Sequence, residues 1–193
     1  MTTMNRRGLL LAATATLLSG PALAAGTPAA DSIYQLPLSL TDQNGTLFGL
    51  DTRRGAPLIV SMFYSSCAYV CPMLIETIQA TEQKLTPEER ARLRVLLVSF
   101  DPDVDTVPVL RKMADARRVD GARWQLARTD AASVRKFAAV LGIQYRAIGK
   151  GDFNHSTMLV SIDAEGRIAG RTSELAAADP GFVRAVKGTL HAG

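Results

Sequence analysis

Cys67 and Cys71 are the two cysteines of a 193-residue chain, held in the stretch SSCAYVCPM. Two thiols at this spacing can form a structural disulfide, work as a redox pair, or bind one metal together. Within one helical turn they would share a face, ~5–6 Å apart. That separation falls in the Cα range a disulfide tolerates, and it also suits two thiolates on one ion. A helix N-terminus lowers a thiol pKa, so the pair should be reactive in either role. A disulfide stabilises mainly by closing a long loop in the unfolded chain. This loop spans only a few residues, which weakens the purely structural reading.

His155, in FNHSTMLV, is one of two histidines. Alone it reads as a polar loop residue. Beside two cysteines it becomes a third soft donor, and thiolates with an imidazole suit copper or zinc. Zinc usually takes a fourth ligand, and no third cysteine exists to supply it. His191, close to the C-terminus, reads as exposed and idle. Met62, Met73 and Met158 lie near the three candidates in sequence and read mainly as core filler. Asp101, Asp103 and Asp105 read as an outer support of the site or a hard-cation loop, without the length and glycine of an EF-hand loop. Asp101 reads as shaping the turn before Pro102, and next as an outer support of the site. Tyr64 and Tyr69 flank the cysteines.

The elements that must position these groups follow from periodicity. Ile33 to Leu40 and Thr46 to Leu50 read as a hairpin turning at Asn44-Gly45. PLIVSMFY, residues 57 to 64, is a buried strand that runs into the cysteines. Pro72 suits a first helical turn, and Met73 to Leu85 continues as helix. Pro87 onward is a short helical turn or loop. Arg94 to Phe100 is a second buried strand, Val107 to Arg118 a helix, and Arg123 to Leu126 a short extended piece. Asp130 caps a helix that Gly142 ends. Tyr145 to Ile148 is extended, 149 to 152 a loop, and Thr157 to Ile162 a strand. A turn and return strand follow, and Pro180 to Leu190 closes the chain as a helix. Strands alternating with helices predict an α/β fold with a central mixed sheet, helices on both faces and an N-terminal β-hairpin. With the cysteines where the first central strand meets its helix, the arrangement is thioredoxin-like. Ligands gather at the carboxyl ends of such strands, where Cys67 and Asp101 both fall. Disulfide exchange in these folds commonly uses Cys-x2-Cys and a proline before a late strand; here the spacing is longer and a histidine stands near that proline's place.

The N-terminus sets the compartment. Arg6-Arg7, an apolar run from Gly8 to Ser19 and the Ala22-Leu23-Ala24 pattern predict a secretory signal over residues 1–24, with a hint of the twin-arginine type. The run is shorter than the ~20 residues a membrane helix needs, so an uncleaved anchor is the weaker reading. Residues 25–32 read as a flexible tether, and 33–190 as the folded domain. The space reached is oxidising, such as a periplasm, where disulfides are allowed. Loss of the signal's two arginines lowers the formal charge from +4 to about +2. With no basic stripe and interleaved aromatics, nucleic acid is not expected as a partner.

FYSSCAYVCPM, SFDPDVDTVPVL and FNHSTMLVSIDAEGR, in this order, resemble the SCO (SenC/PrrC) copper proteins over roughly residues 33 to 190. Cys67, Cys71 and Pro72 match the first motif, Asp101, Pro102, Asp105 and Thr106 the second, His155 and Ser156 the third. Ala68 and Asn154 depart from the family's usual proline and aspartate. The resemblance implies a thioredoxin-like domain that binds one copper, as Cu(I) or Cu(II), through Cys67, Cys71 and His155. It implies delivery of copper to the copper-centre subunit of cytochrome c oxidase, or preparation of that centre's cysteines. The alternative is a thiol-disulfide oxidoreductase using Cys67 and Cys71 as its catalytic pair, with a thiol-disulfide reductase as further partner. A metallochaperone is favoured over an enzyme.

Overall fold

The computed structural model describes residues 29–191 apart from 68, 150 and 151. The expected signal segment, residues 1–24, and most of the expected tether lie outside the described residues. The chain first makes a short 3-10 turn, Ile33–Gln35, where the sequence pattern predicts a strand. Ser32 causes the difference: its hydroxyl accepts the Tyr34 amide, a local bond that competes with a ladder. Strand β1 (Ser39–Asp42) then pairs antiparallel with β2 (Leu47–Gly49). Gly45 turns between them at φ 82°, and the Asp42 carboxylate accepts the Asn44 and Thr46 amides.

β3 (Leu58–Phe63) is buried at every position, as its unbroken apolar run requires. It leads through the cysteine loop into α1 (Val70–Glu82). A short helix, α2 (Pro87–Arg92), carries a capping box between Thr86 and Glu89, two reciprocal bonds that make a helix of what looked equally like a loop. β4 (Arg94–Ser99), α3 (Val107–Ala116) and β5 (Trp124–Arg128) complete two parallel steps. α4 (Ala131–Leu141) is capped by Asp130 and ended by Gly142 at φ 75°, as expected of these residues. β8 (Leu159–Ile162) and β9 (Ile168–Thr172) add antiparallel strands, and α5 (Pro180–His191) packs on both.

The main sheet has seven strands in the order β2-β1-β5-β4-β3-β8-β9. β3 and β8 bury every side chain, and successive residues point to opposite faces, so the sheet centre is covered on both sides. This is the mixed, thioredoxin-like α/β architecture expected. One element was missed. Asp152–His155 forms a strand, β7, paired with β6 (Tyr145–Gly149) as a separate two-stranded ribbon. Its alternation is only four residues long, too short to separate from a loop by pattern. Among the described residues no helix is long and apolar enough to cross a membrane.

Candidate metal centre

β3 and β4 are parallel neighbours, so the loops after Phe63 and Ser99 leave the sheet at the same end. The first loop carries Tyr64, Ser65 and Cys67. Cys67 precedes α1 rather than sitting in it, and the Cys71 amide, in the helix's first turn, points at the Cys67 sulfur at 3.4 Å. The expected same-face helical pair is therefore replaced by a capping geometry. Sulfur stands where a cap oxygen would, using amides that have no partner within the helix.

This placement separates the two thiols electrostatically. Both are free. Partial burial opposes ionisation of Cys67, but the amides of Cys71, Tyr69 and Val70, with the Cys71 thiol, outweigh it and hold its pKa below the ordinary value. Cys71 is 1% exposed. Burial pushes its pKa up strongly, the Tyr64 amide offsets little of this, and the charges of Cys67 and Asp105 add to it.

The second loop supplies the support through Asp105. Asp105 is fully buried. Its carboxylate accepts the Ser65 amide at 3.1–3.2 Å and the hydroxyls of Ser65 and Ser99. These bonds tie the cysteine loop to the end of β4. Asp101, expected as the outer support, instead turns its carboxylate to the Val104 amide of its own loop. Its pKa is raised by burial and then by Asp105 and Asp103. Of the carboxylates in this stretch, Asp105 makes the contact with the cysteine loop.

His155 arrives on β7, opposite Tyr145 in the ribbon. The half-buried ring lies tilted against Phe100 at 5.0 Å and meets the edge of Tyr64 at 5.9 Å. Phe153 anchors the same strand on Tyr64 and Phe100, at 5.1 and 6.1 Å. Tyr64 and Phe100 immediately follow β3 and β4, so the aromatic cluster fastens the ribbon over the strand ends. The Tyr64 hydroxyl also reaches the Cys67 thiol. Tyr64 thus touches both the histidine and the less buried cysteine. His155 Nδ1 lies 3.3 Å from the Ser156 carbonyl oxygen. With the proton on Nδ1, that contact leaves the Nε2 lone pair free for a ligand role.

The cysteines are thus together, with His155 beside them across one tyrosine ring. Among the described residues no three His, Cys, Asp or Glu side chains already form a closed metal-binding group. The chemistry of the donor set fits a soft ion. His191 is exposed at the far end of α5, near Glu89. Met62 is core, and Met73 and Met158 are partly buried.

A family model, SCO1/SenC, matches residues 27–189. The chain belongs to the SCO1/SenC family. A copper-bound structure of Bradyrhizobium japonicum ScoI superposes with a TM-score of 0.67 at 20% identity, over 79% of this chain and 97% of that one. A SCO1/SenC family lipoprotein of Bacillus anthracis superposes at 0.70 and 23%, over 78% and 91%. BsSco, described as having a disulfide switch and as a member of the Sco family of cytochrome c oxidase assembly proteins, superposes at 0.67 and 18%, over 81% and 93%. These likenesses establish the fold. A Stutzerimonas stutzeri protein whose name describes copper binding is 30% identical over 74 residues, covering 38% of this chain. The chain matches about a third, 36%, of that relative's length.

Within this SCO1/SenC chain, the cysteines and histidine were legible as chemistry-bearing residues, and Tyr64 as a flank. Asp105 was legible only as one of three carboxylates in a loop; Phe100, Phe153, Ser65 and Ser99 were not legible. The only signals for them were a Phe directly after a buried strand and a short alternation around Phe153.

Proposed function

We propose that this protein is a copper chaperone that binds one copper through Cys67, Cys71 and His155. The observation that carries the reading is the convergence on Tyr64 of a free cysteine pair, through the Cys67 contact with its hydroxyl, and a half-buried histidine at the edge of its ring, with Nε2 free when the proton sits on Nδ1. Two thiolates and an imidazole match copper of either oxidation state. Copper here is cargo. Oxidation of the pair to a disulfide removes both sulfur donors, so redox state gates binding. The copper bound to B. japonicum ScoI and the oxidase-assembly description of BsSco support the copper-centre subunit of cytochrome c oxidase as recipient. The Arg6-Arg7 segment and its apolar run support export to an oxidising space such as the periplasm.

A second reading has its own observation. Cys67 is accessible with a lowered pKa, while Cys71 is buried with a raised one. That asymmetry suits an attacking and a resolving thiol in disulfide exchange. The two readings part at His155. Titration of the reduced protein with Cu(I) and with Cu(II) should give one copper per chain, with a thiolate-to-copper absorption band. His155→Ala should weaken retention at least about tenfold, and oxidation should abolish it. Copper binding unaffected by His155→Ala, with disulfide reduction intact, would leave the oxidoreductase reading standing.

A further inference from the structure

The aromatic cluster closes one side of Cys67, and the other side is open. A cavity of about 310 Å³ lies between the cysteine loop, the start of α1 and the length of α3. Ser65, Cys67 and Pro72 form one wall, and Lys112, Met113 and Arg117 belong to the other. Cys67 is the thiol that reaches this space, since Cys71 is 1% exposed. The floor is apolar, with Met113 between Val109 and Ala116. The rim is cationic: among the described residues no acidic one lines the cavity, and Lys112 is exposed. The Arg117 guanidinium, half-buried, has the exposed Glu76 carboxylate near it at 4.0 Å. Such a pair is loose and exchangeable.

We infer that this groove beside Cys67 is the docking site for an acidic, cysteine-bearing segment of a partner protein. The inference rests on the second reading above, in which the cysteine pair exchanges with partner sulfur. A cavity of this size takes a few side chains, not a domain. An apolar floor ringed by cations selects a chain whose cysteine is flanked by carboxylates. Opposite charge of this kind raises encounter rates and fixes register. In the exchange, the Cys67 thiolate attacks one sulfur of a partner disulfide. The partner's S–S bond breaks, its other sulfur leaves as thiolate, and a Cys67–partner bond forms. Cys71, giving up its proton, then displaces the partner sulfur from Cys67. Two electrons pass to the partner, and a Cys67–Cys71 disulfide remains.

The test uses two synthetic peptides of equal length. Each carries one cysteine activated as a mixed disulfide with 5-thio-2-nitrobenzoate, flanked by glutamates in one and by lysines in the other. Reduced full-length protein at low salt should release the chromophore from the glutamate peptide at least about tenfold faster. Salt should erase the preference. Lys112→Glu/Arg117→Glu should reverse it while leaving copper titration unchanged. Lys112→Gln alone, a milder change at an exposed position, should reduce it. Equal rates for the two peptides, or a preference that survives both variants, overturn the docking site. A peptide preference in a protein that binds no copper would remove the chaperone reading and leave the docking site intact. Copper binding without peptide preference would do the reverse.

Discussion

At the scale of the residue, Cys67 and Cys71 are chemically different although four positions apart. Cys67 takes the free amides at the head of α1, whereas Cys71 sits in the core and under the Asp105 carboxylate. A lowered pKa means that the thiolate of Cys67 persists to lower pH than a free cysteine, with an ordinary value of about 8.5. A raised one means that Cys71 stays a thiol through neutral pH. Iodoacetamide labelling followed by mass spectrometry should therefore modify Cys67 with a midpoint below that of a cysteine in an unfolded peptide measured alongside, and leave Cys71 of the native protein untouched. Similar labelling of both at neutral pH would contradict the capping geometry. The same asymmetry fixes the sign for copper. Binding must displace the Cys71 proton, so apparent affinity should rise with pH, by about tenfold per unit for each proton released.

At the scale of the element, the β6–β7 ribbon is the movable part of the site. It is not paired with the main sheet, and its attachment runs through Phe153 and Tyr145 onto Phe100 and Tyr64. Few buried contacts and a separate ladder mark a segment that opens at low cost. Phe153→Ala removes the main anchor. For a half-buried ring the loss should be about 1–2 kcal/mol, read as roughly tenfold faster amide exchange in the ribbon. Copper affinity should fall with it, because His155 is no longer presented, while Cys67 labelling stays unchanged. Ribbon exchange that does not respond would show that the aromatic cluster is not its attachment.

At the scale of the whole molecule, a distant polar cluster helps hold the sheet and helices in register. Glu82, at the end of α1, is buried; it accepts from Arg123 at 2.5 Å and from the Trp124 indole at 3.3 Å, and its backbone carbonyl accepts from Arg90. It thus joins α1, α2 and β5. Glu82→Gln leaves Arg123 with Asp120 at 2.7 Å but strips the charge from its more buried partner. The expected cost is about 1–3 kcal/mol, seen as a lower denaturation midpoint with copper stoichiometry unchanged. Loss of copper binding at unchanged stability would mean that this end of α1 communicates with the cysteines.

What the sequence determined by itself is what local physics dictates. The unbroken apolar runs of β3 and β4 compel buried parallel strands, Asp130 and Gly142 bound α4, and Gly45 turns the first hairpin. Three motifs in order were enough to place the chain in its family. The sequence also named Cys67, Cys71 and His155, because few other residue types carry soft-donor chemistry. The tertiary structure decided the rest. It moved Cys67 out of the helix and under its amides, chose Asp105 over Asp101 as the carboxylate behind the cysteine loop, and put Tyr64 between thiol and imidazole. It also opened the cationic groove along α3. Each of these depends on which strand ends and helix faces meet in space, a long-range outcome of sheet order that no local spacing encodes.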